Sequence, residues 1–221
     1  GPQEDEEVEP PSNTGQGWDL EGVFIDGTKL SMVGGYNFVT GKDGWTSGDL
    51  FVDVDGDAVF GNPATGSGFN QSLVANTFGY DYVLDLDFNT LTYSIYAIDP
   101  QTLLYTVFYQ ANEQANPWRY GQGGELLGNY QNLPITFLSG LTDADVGFLG
   151  GSHYVASVDL PFLSPGETIT THFTQRCGND NLMGQYDVPT NVSEGGVTVV
   201  LLGGALLGVE SLRRRFAASR N

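Results

Sequence analysis

Asp81-Tyr82-Val83-Leu84-Asp85-Leu86-Asp87-Phe88, then Asn89-Thr90, then Leu91-Thr92-Tyr93-Ser94-Ile95-Tyr96-Ala97, is the stretch that decides the fold class. Tyr82, Leu84, Leu86 and Phe88 alternate with Asp81, Val83, Asp85 and Asp87, the period-2 pattern of a half-buried strand. Asn89-Thr90 interrupts the pattern, and Leu91, Tyr93, Ile95 and Ala97 resume it, which predicts a β-hairpin. Around it, residues 50–54 and 58–60 flank Asp55-Gly56, a preferred type I′ turn pair, so a second hairpin is expected there. Residues 103–110, 153–160 and 169–175 are rich in Val, Ile, Tyr, Phe and Thr and read as further strands. Only 142–146 suggests a helical turn, and 31 glycines spread between short apolar runs suit turns better than helices. The expectation is an all-β antiparallel β-sandwich of about eight to twelve strands. Jelly-roll and immunoglobulin-like topologies both remain open.

The ends of the chain differ from this body. Residues 1–17 carry Glu4, Asp5, Glu6, Glu7 and Glu9 among prolines with no aromatic, the composition of a disordered acidic leader. The β domain is expected over 18–187, long enough for a substantial core. A linker follows at 188–196, an apolar segment at 197–212 and a basic tail at 213–221. The uncharged run 197–209 spans roughly 20 Å as a helix, and 195–212 reaches about 27 Å. A bilayer core is about 30 Å thick, so a transmembrane helix here suits a thin or locally thinned bilayer. Arg213, Arg214 and Arg215 would hold that end in the cytoplasm and leave the β domain outside. Gly204 and Gly208 form a GxxxG pair suited to helix association.

Val192-Ser193-Glu194-Gly195-Gly196, the Gly/Leu-rich run Leu201-Leu202-Gly203-Gly204-Ala205-Leu206-Leu207-Gly208 and Arg213-Arg214-Arg215 stand in that order. This tripartite tail resembles the PEP-CTERM sorting signals, with Ser193 where that family usually has proline. Three body segments look like blocks from such proteins as well, Cys177-Gly178-Asn179-Asp180 within 171–182, Gly48-Asp49-Leu50-Phe51-Val52-Asp53 and Tyr80-Asp81-Tyr82-Val83-Leu84-Asp85. The resemblance implies an exported protein held transiently in the inner membrane by its C-terminal helix. An exosortase-like membrane protease then cuts it, and it passes to the cell surface or beyond. Such a precursor needs a secretory leader, and none precedes Gly1, so the expectation is that it has been removed.

Composition narrows the function classes. Eight basic side chains against 27 acidic ones give a net charge of −19. Setting aside Arg213, Arg214, Arg215, Arg220 and Glu210 leaves four basic and 26 acidic side chains, a net −22 before the tail. Such a chain is repelled by nucleic acid, whereas divalent cations and basic partners are attracted. One cysteine rules out an intramolecular disulfide framework, and two histidines make a zinc site unattractive.

Asp53, Asp55 and Asp57, with Asp49 nearby, are the candidate metal ligands, because hard carboxylate oxygens suit Ca²⁺. The competing reading is a solvated hairpin tip, since Gly56 is fourth in the run where an EF-hand loop has glycine sixth. Asp85 and Asp87 share a strand face and offer a paired-carboxylate site of the glycoside-hydrolase kind, or simply the wet face of a hairpin. His172 and Cys177 are five residues apart and point to opposite faces of a continuous strand, which argues against a thiol–base pair. Asn116-Pro117-Trp118-Arg119-Tyr120 suggests either a sugar-stacking platform or a core tryptophan with Arg119 stacked on it. No Ser-His-Asp, phosphate-loop or dinucleotide motif supports an enzyme. The expected function is a non-enzymatic surface or extracellular-matrix protein associated with extracellular polysaccharide or with copies of itself. The alternatives are a carbohydrate- or Ca²⁺-dependent binding module and, behind it, a hydrolase.

Overall fold

The computed structural model describes residues 15–61, 72–107, 112 and 114–190. After a 3₁₀ turn at Gln16–Trp18 come β1 (Leu20–Asp26), β2 (Lys29–Gly34), β3 (Leu50–Asp53), β4 (Ser72–Ala75) and β5 (Tyr82–Asp87). Next are β6 (Thr92–Ala97), β7 (Leu103–Thr106), β8 (Arg119–Gln122), β9 (Glu125–Leu126) and β10 (Leu133–Pro134). β11 (Thr136–Leu141), the short helix α1 (Asp143–Val146), β12 (His153–Asp159), β13 (Thr168–Thr174) and β14 (Asn181–Asp187) complete the series. The strands pair antiparallel throughout, so the chain is all-β.

Three sheets form. The first has the order β1-β2-β12-β11, and the second runs β10-β6-β5-β3-β13-β14, with β9 also on β6. β4-β7-β8 is a separate three-stranded sheet. The main core lies between the first two. Leu20, Leu30, Met32 and Val158 come from one side, and Leu50, Leu84, Ile95 and Phe173 from the other. The hairpin expected from 81–97 is β5–β6, with Leu84 opposite Ile95 and Leu86 opposite Tyr93. Its apolar alternation therefore faces this core.

The other face of the second sheet is covered over part of its extent. Phe51 and Val83 are cross-strand partners, and they pack with Phe78, Tyr80, Ile98 and Leu104 into a second core. Leu104 comes from the third sheet, which thus covers the middle one. Every residue of β3 is buried as a result. A strand enclosed on both faces reads as an unbroken apolar run rather than an alternation.

The hairpin expected around Asp55-Gly56 does not form. β3 ends at Asp53, and residues 58–60 are not a strand. The reason is local. Asp53 accepts hydrogen bonds from the backbone N–H groups of Asp55, Gly56 and Ala58, winding the chain around its own carboxylate. β3 already has β5 and β13 as its two neighbours, so no third strand can pair with it. The helical turn expected at 142–146 is α1, with a reciprocal capping box between Thr142 and Asp145.

The described residues through Val188 belong to one compact unit, and Pro189–Asn221 to a second. At the first unit's ends, Gln16 bonds to Glu21 and Val188 is buried in the main core. The expected sorting motif Val192, Ser193, Glu194, Gly195 and Gly196, the membrane segment 197–212 and the arginines Arg213, Arg214 and Arg215 lie outside the described residues. Among the described residues no helix is long and apolar enough to cross a membrane.

One buried ionic pin ties the first sheet to α1. His153, fully buried, faces Glu21 of β1 through Nδ1 at 2.8 Å and Asp143 of α1 through Nε2 at 3.0 Å. Burial alone would lower the His153 pKa, but hydrogen bonds to Asp143 and Glu21 outweigh it and hold it raised. Its stabilisation is complete below the unfolded value of about 6.5 and is lost as pH rises through the raised folded value. His153→Ala removes the cation facing buried Glu21 and should cost about 3–5 kcal/mol in urea unfolding. That cost should shrink above neutral pH. An equal cost at pH 6 and pH 9 would show that the pin is not ionic.

Candidate functional site

The chemistry of the surface concentrates where the second and third sheets meet. Segment 46–49, just before β3, is fixed by backbone hydrogen bonds in two directions. Gly48 N–H donates to Thr174 O at 3.0 Å, and Arg176 N–H donates to Thr46 O at 2.9 Å. Asp49 N–H donates to Trp118 O at 2.9 Å. The segment thereby holds Arg176 on one flank and the start of β8, with Arg119, on the other. A side chain at position 48 would run into the carbonyl oxygens of Trp118 and Thr174, so only glycine lets the three backbones approach this closely.

Asp49 completes the joint. Its side chain is 1% exposed, Oδ1 accepts from Leu86 N–H at 2.9 Å, and Oδ2 accepts from Tyr120 N–H at 2.8 Å. One carboxylate thus staples β5 to β8. Burial pushes its pKa up, nearby Asp85 adds to the rise, and the two N–H donors and Arg119 offset part of it, leaving it at about 7.

Above this joint lies a groove of about 470 Å³ lined by Asp85, Tyr105, Trp118, Arg119, Tyr120 and Arg176. Asp85 also lines an adjoining hollow of about 400 Å³ with Asp87, Thr90, Thr92, Ser94 and Asn132. Arg119 and Arg176 are exposed, and they are two of the four basic side chains that precede the tail. The ion pairs among the described residues are Lys42–Asp43 and the two of His153, so neither arginine is in one. Arg119 lies over the Trp118 ring, 5.9 Å from its centroid. Trp118 is 2% exposed, and its Nε1 has no hydrogen-bond partner among the described residues. Tyr120 stacks on Tyr96 at 4.7 Å and donates its hydroxyl to Gly123 O, which fixes the ring at the groove wall. Burial raises the Asp85 pKa, and Arg119 opposes the rise.

The sequence-derived candidates are distributed as follows. Asp53, Asp55 and Asp57 come together, each offering one oxygen within 4.8 Å of the others. They are the carboxylates able to hold a cation, although Asp53 already serves three backbone N–H groups. Asp55 raises the pKa of fully exposed Asp57, a sign of mutual repulsion. Asp85 borders the groove, and Asp87 borders the adjoining hollow. Burial is the largest single influence on Asp87 and acts to raise its pKa, but its hydrogen bonds to the turn, from Asn89 and Thr90, together outweigh it and hold the pKa low.

His172 and Cys177 sit in different clusters. His172 stacks on Tyr80 in the second core, and burial lowers its pKa to about 3. Cys177 packs with Trp18 and Trp45, and burial pushes its thiol up to about 11. Trp118 is a core residue with Arg119 over it, not an exposed sugar platform. The structural role of Asp49 and the pairing of Arg119 with Arg176 were not visible in the sequence. The only signal was that so few cations precede the tail. No protein family, curated protein or solved structure matches the chain.

Two substitutions test the joint. Gly48→Ala should destabilise by about 1–3 kcal/mol through overpacking, seen as a lower melting temperature. Because folding raises the Asp49 pKa, the folded state binds this proton more tightly than the unfolded chain, and that proton-linked part of the stability is complete below about 4 and is lost as pH rises through about 7. Asp49→Asn removes that titration. Its stability relative to the parent should therefore climb across this window in urea unfolding, and a flat difference would reject the assignment.

Proposed function

We propose that the chain is a non-enzymatic exported surface or extracellular-matrix protein, sorted by an exosortase-type C-terminal signal. The observation that carries this reading is the tail itself. Val192-Ser193-Glu194-Gly195-Gly196, an uncharged run and Arg213-Arg214-Arg215 follow one another within about two dozen residues. A short motif, an apolar helix and a cytoplasmic arginine cluster present a membrane protease with a positioned cleavage segment. The net charge of −22 before the tail suits a domain kept soluble among other surface polymers. In this reading the protein is anchored transiently in the inner membrane before it reaches the surface.

Intact mass of the protein recovered from its native surface tests the proposal. A C-terminus between residues 188 and 196 is expected, and retention of 213–221 would reject processing.

A second reading, a binding module, is favoured by the groove with its two arginines and its polar extension. A hydrolase is disfavoured. Asp85 and Asp87 stand side by side on one strand, and Asp87 is spent on its turn, whereas glycoside hydrolysis needs two carboxylates flanking the scissile bond. For Ca²⁺ at Asp53, Asp55 and Asp57, the check is a melting curve. Millimolar Ca²⁺ should raise the melting temperature of the parent but not of Asp55→Asn with Asp57→Asn, and an unmoved parent would end the idea.

A further inference from the structure

We infer that the groove over β5 and β8 binds a saccharide chain carrying an isolated carboxylate, with Arg119 and Arg176 as the carboxylate receptors. This rests on the binding-module reading and names its ligand class.

Charge is the first argument. In a domain this acidic, two of the four cations before the tail line one groove, and neither is in an ion pair among the described residues. Arginine presents a planar fork of donors that matches a carboxylate. The positions are also built. Backbone bonds from segment 46–49 fix the residues on both sides of Arg119 and the backbone of Arg176 itself. Such preorganisation lowers the ordering cost of binding.

Charge also limits the ligand. Asp85 borders the same groove, and the net −22 of the surrounding chain repels any densely anionic polymer. A phosphate dianion or a run of consecutive uronates would meet that repulsion repeatedly, whereas one singly charged carboxylate meets it once.

The flanks specify the rest. From Asp85 the surface continues over Asp87, Thr90, Thr92, Ser94 and Asn132, which supply acceptors and two-way hydroxyl and amide groups. Neutral sugar hydroxyls satisfy such a row. On the arginine side, the half-buried Tyr105 and Tyr120 offer ring surface to a pyranose face. The ligand class is therefore a polysaccharide in which a uronate, or another singly carboxylated sugar, is separated from the next by neutral residues.

The test titrates the full-length chain with an octasaccharide of alternating glucuronate and N-acetylglucosamine, in parallel with its carboxyl-reduced counterpart and with inorganic phosphate. Binding of the acidic probe should weaken as salt rises, and should fall roughly tenfold or more on carboxyl reduction. Arg176→Gln should cause a similar loss at an unchanged melting temperature, because the side chain is exposed and in no ion pair among the described residues. Arg119→Gln should behave alike, with a small melting shift from its contact with Trp118.

Equal affinity for the reduced probe would overturn the carboxylate assignment while leaving a saccharide site. Phosphate binding as tightly as the octasaccharide would overturn the saccharide class. No binding of the acidic probe, or unchanged affinity in the double arginine variant, would overturn the inference entirely. None of these outcomes touches the sorting reading, which is judged by the mass of the processed chain.

Discussion

The architecture depends on a carboxylate buried where three pieces of chain converge. Asp49 satisfies the N–H groups of Leu86 and Tyr120 at once, and its own N–H is taken by Trp118. A buried donor left unpaired costs about 1–3 kcal/mol, so these bonds are structural obligations. Through them the edge of the third sheet is registered against the middle sheet. The groove above inherits that register, because Asp85 lies beside Leu86 and Arg119 beside Tyr120. Gly48 is the steric counterpart of Asp49. One position allows the backbones to approach, and the next bonds them together.

The middle sheet explains why the molecule is thicker than a two-layer sandwich. With Leu50 and Leu84 on one face and Phe51 and Val83 on the other, β3 and the first half of β5 are apolar on both sides. The third sheet covers the second face over only part of its extent. Where that cover ends, polar side chains of β5 and β6 emerge, and the groove lies along this margin. Site and packing thus share one cause, a short sheet laid over a longer one.

How much of this was legible in sequence depended on range. The β5–β6 hairpin was readable because its apolar alternation and its turn lie within 17 residues. Val83 was assigned to the polar side, and its burial by Leu104 of a distant strand could not be seen from local period. The Asp55-Gly56 signal misled because Asp53 competes for the turn's own N–H groups, an Asx effect stronger here than hairpin propensity. Asp85 and Asp87 were found as neighbours on one strand face. Arg176 and Asp49 were not linked to them, because the groove draws on segments near 49, 85, 119 and 176. His153 looked like an unremarkable strand residue until Glu21 and Asp143 were seen on either side of its ring.

The strand order carries a temporal consequence. β2 pairs with β12, and β3 pairs with β13, so both main sheets are closed by the last third of the domain. A chain emerging from its N-terminus can form β1–β2 and β5–β6 early, but β3 lacks one neighbour until Thr168–Thr174 arrives. Pairings of such long sequence separation are slow to find. The chain therefore passes through most of its own synthesis without a closed core, and the two sheets that flank that core are completed together near its end.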